Sequence, residues 1–225
     1  MSIYKLHQKQ FAITTVFILF FIILTCHVFA SSGFSLDETV LAAAEEKYGT
    51  FARLRLNEWV ELIRNDKSMT DMKKLIKVND FFNSLEFVED SLHWEQSDYW
   101  ATPIEFLASN GGDCEDFSLA KYFTLKAMGV NERRLNLTYV KALGLDQAHM
   151  VLTYFKVPGE EPLVLDNLVG EIKLASERTD LLPVYSFNGT GLWIAKMRGR
   201  GDLVGKSDQL SRWKELLSRI PQGLN

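Results

Sequence analysis

The chain has 225 residues, 47% of them hydrophobic and 24% charged, with 25 Lys+Arg against 29 Asp+Glu and a formal charge of −4. That acidic balance argues against nucleic acid as a main partner, because neutralising phosphates needs a basic surface. The length suits one domain with a sizeable core, and no internal repeat or low-complexity stretch divides it.

Residues 1–30 read as a targeting segment. Lys5 and Lys9 are its only charged side chains, an apolar run covers 11–25, and Val28-Phe29-Ala30 offers a small residue before Ser31. The alternative is an uncleaved membrane anchor, since 11–30 has the roughly 20-residue length that spans a bilayer. Cys26 follows Ile23-Leu24-Thr25, a poor lipoprotein signal because Thr25 is larger than the usual residue there. Either reading delivers residues 31–225 across a membrane as the working domain. Without the segment, 23 basic and 29 acidic side chains remain, a balance of −6. Cys114, His93 and His149 are the remaining thiol and imidazoles. They are too few for a structural zinc site. A lone cysteine makes no internal disulfide, and in an oxidising compartment it is a liability or has a job.

Ser35-Leu36-Asp37-Glu38 reads as a capping box with Ser35 as N-cap, opening a helix that stops near Gly49. Phe51, Leu54, Trp59, Leu62 and Ile63 predict an amphipathic helix over 51–65, and a third helix covers 70–88. The segment 91–112 reads as irregular, with a short helix at 103–108. Residues 114–128 form a helix ending at Gly129, with Cys114, Phe117, Lys121 and Thr124 along one side and Leu119, Ala120 and Phe123 towards a core. Strands are predicted over 135–142, 149–157 and 162–167. A hairpin pairs 184–187 with 192–197 across Asn188-Gly189-Thr190-Gly191. A last helix runs over 207–220, stopped by Pro221. Helices first and an antiparallel sheet after them is an α+β pattern. Asn136-Leu137-Thr138 and Asn188-Gly189-Thr190 match the glycosylation sequon and are read as chance.

The chemistry concentrates in Asn110-Gly111-Gly112-Asp113-Cys114-Glu115-Asp116-Phe117. A thiol that opens a helix sits where backbone N–H groups and the helix dipole favour an anion. A nucleophilic cysteine needs a base, and the base needs an orienting group. His149 starts one strand and Asp166 ends the next, so adjacent antiparallel strands can bring them side by side; His93 has no matching acid. Asp113, Glu115 and Asp116 pose a problem, because unscreened negative charge opposes thiolate formation. Three acids exceed what a cap needs, and a bound hard cation such as Ca²⁺ would cancel the repulsion. The Cys114 N–H would serve an oxyanion, with the Trp100 indole as a second donor; packing under the loop is the competing role for Trp100.

The run from Trp100 to Phe123 with Gly112-Asp113-Cys114-Glu115-Asp116, then Ala148-His149-Met150-Val151-Leu152, then Leu165-Asp166-Asn167, resembles the bacterial transglutaminase-like cysteine proteinases over nearly all of 35–220. The resemblance implies a papain-like fold and a catalytic Cys114, His149 and Asp166. It also implies calcium dependence, with Asp113 and Glu115, and Asp116 beside them, as ligands. It further implies a periplasmic endopeptidase that cuts the N-terminal region of a large RTX-type surface adhesin at paired alanines. That cut releases the adhesin and disperses biofilm. An inner-membrane cyclic-di-GMP receptor would sequester the enzyme through its periplasmic domain. The enzyme would be soluble after signal cleavage or tethered by residues 11–30. Two other readings remain open: a transglutaminase-type acyltransferase using the same three groups, and a binding module with Cys114 as a buried structural thiol.

Overall fold

The computed structural model describes residues 34–194, 201–221 and 224. The expected targeting segment and the outer end of the last hairpin strand, 195–197, lie outside them. The chain divides between Ser35 and Leu36 into two compact units, and the second is the one described below. Among the described residues, no helix is long and apolar enough to cross a membrane.

Helices α1 (Glu38–Tyr48) and α2 (Thr50–Asn65) meet at Gly49, whose φ of 84° a side chain would strain. The cap of α1 is Asp37, which accepts from Thr39 N at 2.8 Å, and not Ser35. The helix begins at Glu38, so the cap position falls on Asp37. The buried stripe of α2 is Ala52, Leu56, Trp59, Val60 and Ile63, leaving Phe51 75% exposed. This stripe is rotated from the expected one and keeps Trp59 and Ile63; Trp59 donates from Nε1 to Thr124 Oγ1 at 2.7 Å. Helix α3 (Asp71–Asn83) ends earlier than expected, and the chain then enters β1 (Glu86–Phe87).

Two short helices follow within the segment read as irregular: α4 (Asp90–His93) and α5 (Pro103–Ser109). Thr102 and Glu105 form a capping box on α5, with Pro103 in its first turn. Strand β2 (Gly111–Gly112) pairs in parallel with β1. A Cβ at Gly111 would lie 2.6 Å from the Glu86 carbonyl oxygen, so this pairing needs glycine. Helix α6 (Cys114–Ala127) comes next and is buried without a break from Glu115 to Leu125. It is not amphipathic as expected, because α3 and α5 cover one flank and the sheet the other.

The sheet holds β3 (Leu135–Ala142), β4 (Gln147–Tyr154), β5 (Leu163–Leu165), β6 (Lys173–Leu174), β7 (Leu181–Asn188), β8 (Gly191–Ile194) and β9 (Asp202–Gly205). Their order is β6-β5-β4-β3-β7-β8-β9, antiparallel throughout. Strand β7 starts at Leu181, earlier than expected, because a bulge opposite Tyr139 and Val140 accommodates Pro183 in the ladder. The β7–β8 hairpin turns on Gly189 and Thr190 as expected. Helix α7 (Ser211–Arg219) closes the molecule and sets Trp213 against Phe123 and Phe187, at 5.7 and 5.4 Å between centroids. Both sequon asparagines are buried: Asn188 donates to Leu135 O and to Asn136 Oδ1. Together the described elements make an α+β arrangement, with helices of the N-terminal half packed on an antiparallel sheet.

Candidate active site

Cys114 is the first residue of α6, directly after the β2 glycines. Gly112 is required for a specific reason: a Cβ there would lie 2.2 Å from Asp116 Oδ2. Asp113 is the helix N-cap but makes no side-chain cap hydrogen bond, so capping does not explain it. Asp116 is wholly buried; its Oδ1 accepts from Ala101 N at 2.7 Å and its Oδ2 has no partner. Asp90 is buried beside it, with one oxygen on Tyr99 N and the other unpartnered. Asp113 Oδ1 and Asp98 Oδ1 are likewise unpartnered.

These oxygens converge. Asp90, Asp113 and Asp116 offer atoms within 4.8 Å of one another, as do Asp90, Asp98 and Glu115. Buried carboxylates are normally fully hydrogen-bonded, because leaving one unpaired away from water is costly. Here burial pushes the Asp113 carboxyl up to about 10, with the charges of Glu115, Asp116 and Asp90 adding to it. Burial also lifts Asp90 to about 6, against the pull of the Tyr99 N–H, and holds Asp116 well above the usual carboxylate range. An oxygen-only cluster with several orphaned acceptors fits a hard divalent cation such as Ca²⁺. Asp113, Glu115 and Asp116 stood out in the sequence; Asp90 and Asp98 did not, because they sit in a segment without periodicity.

The thiol shares this environment. Cys114 Sγ donates to Glu115 Oε2 at 3.0 Å. Burial first, then the charge of Glu115, push the thiol well above its ordinary value, and the Met150 backbone amide pulls the other way.

His149 lies on β4 opposite Val140 and is buried. Its Nε2 hydrogen-bonds Asp166 Oδ1 at 2.7 Å, which leaves Nδ1 as the free ring nitrogen. The register explains the meeting. Leu152 pairs with Leu165, so one further residue along β5 sets Asp166 opposite Val151, on the face of β4 that carries His149. Asp166 Oδ1 also accepts from Leu168 N at 3.1 Å, and Oδ2 accepts from Arg178 Nη2 at 2.7 Å. Burial works to raise this carboxyl, but the bonds from His149, Leu168 and Arg178 prevail and hold it at about 2. Arg178 carried no signal in the sequence beyond being a cation in a polar loop.

Cys114 and His149 line one cavity of about 550 Å³, together with Asp90, Asp98, Asp113 and Glu115. Ser118 Oγ donates to Met150 O at 2.9 Å and so ties α6 to β4 beside both groups. Trp100 is not on this wall; it is buried and stacks on Phe187 at 5.8 Å, although its Nε1 has no partner. His93 turns elsewhere, to Ser109 Oγ at 2.8 Å. A thiol at a helix N-terminus, an imidazole on the same cavity wall and a carboxylate fixing that imidazole form a constellation suited to acyl transfer.

A family model described as bacterial transglutaminase-like cysteine proteinase BTLCP matches residues 57–195. Among solved structures, Legionella pneumophila LapG is 43% identical with a TM-score of 0.71, covering 82% of this chain and 97% of that one. An EGTA-treated form of LapG gives 43% and 0.72 over 82% and 97%. A calcium-bound form gives 44% and 0.69 over 81% and 97%. No curated protein matches the chain. The chain therefore belongs to the bacterial transglutaminase-like cysteine proteinases and is a cysteine peptidase.

Proposed function

We propose that this peptidase is a calcium-dependent endopeptidase in which Cys114 is the nucleophile, His149 the base and Asp166 its orienting group. The observation that carries the reading is the 2.7 Å bond from His149 Nε2 to Asp166 Oδ1 on the wall that also bears Cys114. Cys114 Sγ attacks the peptide carbonyl while His149 takes the thiol proton. Nδ1 is the nitrogen free to do so. The Cys114 backbone N–H, at the start of α6, donates to the developing oxyanion. His149 then protonates the leaving amine, and water hydrolyses the thioester. Asp166 keeps the ring in one tautomer and stabilises its charged form.

Asp90, Asp98, Asp113, Glu115 and Asp116 would hold the cation, supported by the orphaned oxygens of the four aspartates and by the calcium-bound relative. When bound it supplies positive charge beside the thiol, which favours the thiolate. The substrate reading is the N-terminal region of a large surface adhesin, with release of that adhesin and biofilm dispersal as the outcome. The setting is the periplasm, and the inhibitory partner a cyclic-di-GMP receptor. These rest on the family resemblance.

The test is cleavage of a recombinant adhesin N-terminal fragment by residues 31–225, with calcium and with excess chelator. Cleavage that needs calcium and vanishes in Cys114→Ala is expected. Retained cleavage by that variant would overturn the assignment of the nucleophile, and full activity in chelator would overturn the metal. Incorporation of a primary amine into a glutamine peptide faster than hydrolysis would favour acyl transfer instead.

A further inference from the structure

We propose that Arg178 is a positioning residue of this active site: its guanidinium fixes the Asp166 carboxylate so that Oδ1 faces His149 Nε2. The inference rests on the role given to His149 and Asp166 above. Arg178 is 3% exposed, in the loop between β6 and β7. Its Nη2 reaches Asp166 Oδ2 and Asp180 Oδ2, each at 2.7 Å, and its Nε reaches Asp180 Oδ1 at 3.0 Å. Asp180 thus grips the guanidinium in two places, and the guanidinium in turn holds Asp166. A carboxylate has a broad, two-fold torsional preference and needs both oxygens engaged to keep one orientation. Oδ1 has His149 and Leu168 N; Arg178 holds Oδ2.

The backbone of this corner is anchored separately. Asn83 on α3 donates from Nδ2 to Asp166 O at 2.8 Å and accepts from Lys121 Nζ at 2.7 Å. Asn79, one turn earlier, donates to Gly170 O at 2.7 Å. Removing the guanidinium therefore frees the Asp166 carboxylate while the loop that carries it stays tied to α3. The remaining charges facing the carboxylate are Lys121 from the helical side, which Asp80 also faces, and Asp180 from the sheet side. None of these donates to Oδ2. Lysine at 178 keeps a charge but not the fork that spans two carboxylates.

The test uses calcium-loaded full chain and reads Cys114 in its own peptide by mass spectrometry, apart from Cys26, so it needs no substrate. The rate of Cys114 alkylation by iodoacetamide at neutral pH is measured alongside the low-field proton resonance of His149 Nε2–H. In Arg178→Ala the rate is expected to fall about 10- to 100-fold, the range found when a partner that orients a functional histidine is removed. The low-field resonance should vanish, millimolar guanidinium should restore both, and calcium affinity by calorimetry should stay at the wild-type value. Peptide cleavage should lose kcat with KM unchanged. A folded Arg178→Ala with wild-type alkylation and an intact resonance would overturn the proposal, as would a loss that guanidinium does not restore. Should the alanine variant fail to fold, Arg178→Lys decides. A slower alkylation and a shifted resonance support the proposal, and wild-type values for both refute it. A wild-type thiol that reacts no faster than in His149→Ala would instead sink the reading of the triad on which this rests.

Discussion

Asp116 is the residue on which the acid cluster turns, and Gly112 is what makes room for it. A methyl at position 112 would occupy the place of Oδ2. On the proposed calcium site, Gly112→Ala should therefore displace Asp116, abolish the rise in Tm expected on adding calcium and cut cleavage by at least about tenfold, since acids holding a cation tolerate little displacement. An unaltered calcium response measured by calorimetry would contradict this. Cys114, His149 and Asp166, which the structure brings to one corner of the fold, could be proposed from the sequence because only a few residue types can be nucleophile, base and orienter, and few such residues exist in the chain. Asp90, Asp98 and Arg178 were not legible. Each acts only through where the fold puts it, and nothing in its neighbours along the chain marks that place.

Trp213 joins the last helix to the rest. It stacks on Phe123 of α6 and meets Phe187 of β7 edge-on, fully buried. Trp213→Ala should cost about 3–5 kcal/mol, the usual toll of removing a large buried aromatic. Denaturant unfolding would check it, and a loss below about 1 kcal/mol would show that α7 packs loosely. At this scale the alternation in 135–142 predicted β3 with its ends, because a central strand is read from β-branched and aromatic residues alone. Helix α2 was found but with its face misplaced, since Phe51 and Leu54 at i, i+3 fit a helical face as well as Ala52 and Leu56 at i, i+4. Tertiary packing chose between them. The two-residue strands β1, β2 and β6 carry too few residues to show any period.

For the molecule as a whole, pH and metal act together. Asp90 and Asp113 have folded values raised to about 6 and about 10, above the ordinary carboxylate value near 4. A raised acid contributes stability that is fully present below its unfolded value and is lost as pH rises through the folded one. Asp166, held at about 2, works the other way, and its contribution is lost as pH falls through that value. Metal-free protein should therefore show a falling Tm between pH 5 and pH 8, set by the acid cluster. Added calcium should flatten that slope by replacing protons with a cation. Scanning calorimetry with and without chelator tests this, and a metal-free Tm that climbs over the same range would rule it out.

The proposed nucleophile sits at the head of α6, while its proposed base lies far along the chain in β4, and the two meet only in the pairing of that helix with the sheet. Local contacts form early in folding and distant ones late. A nascent chain that has its helices but not this pairing owns the sulfur without the imidazole that arms it. On the proposed roles, proteolytic power then arrives only with the docking of helix on sheet, and the half-folded molecule lacks it.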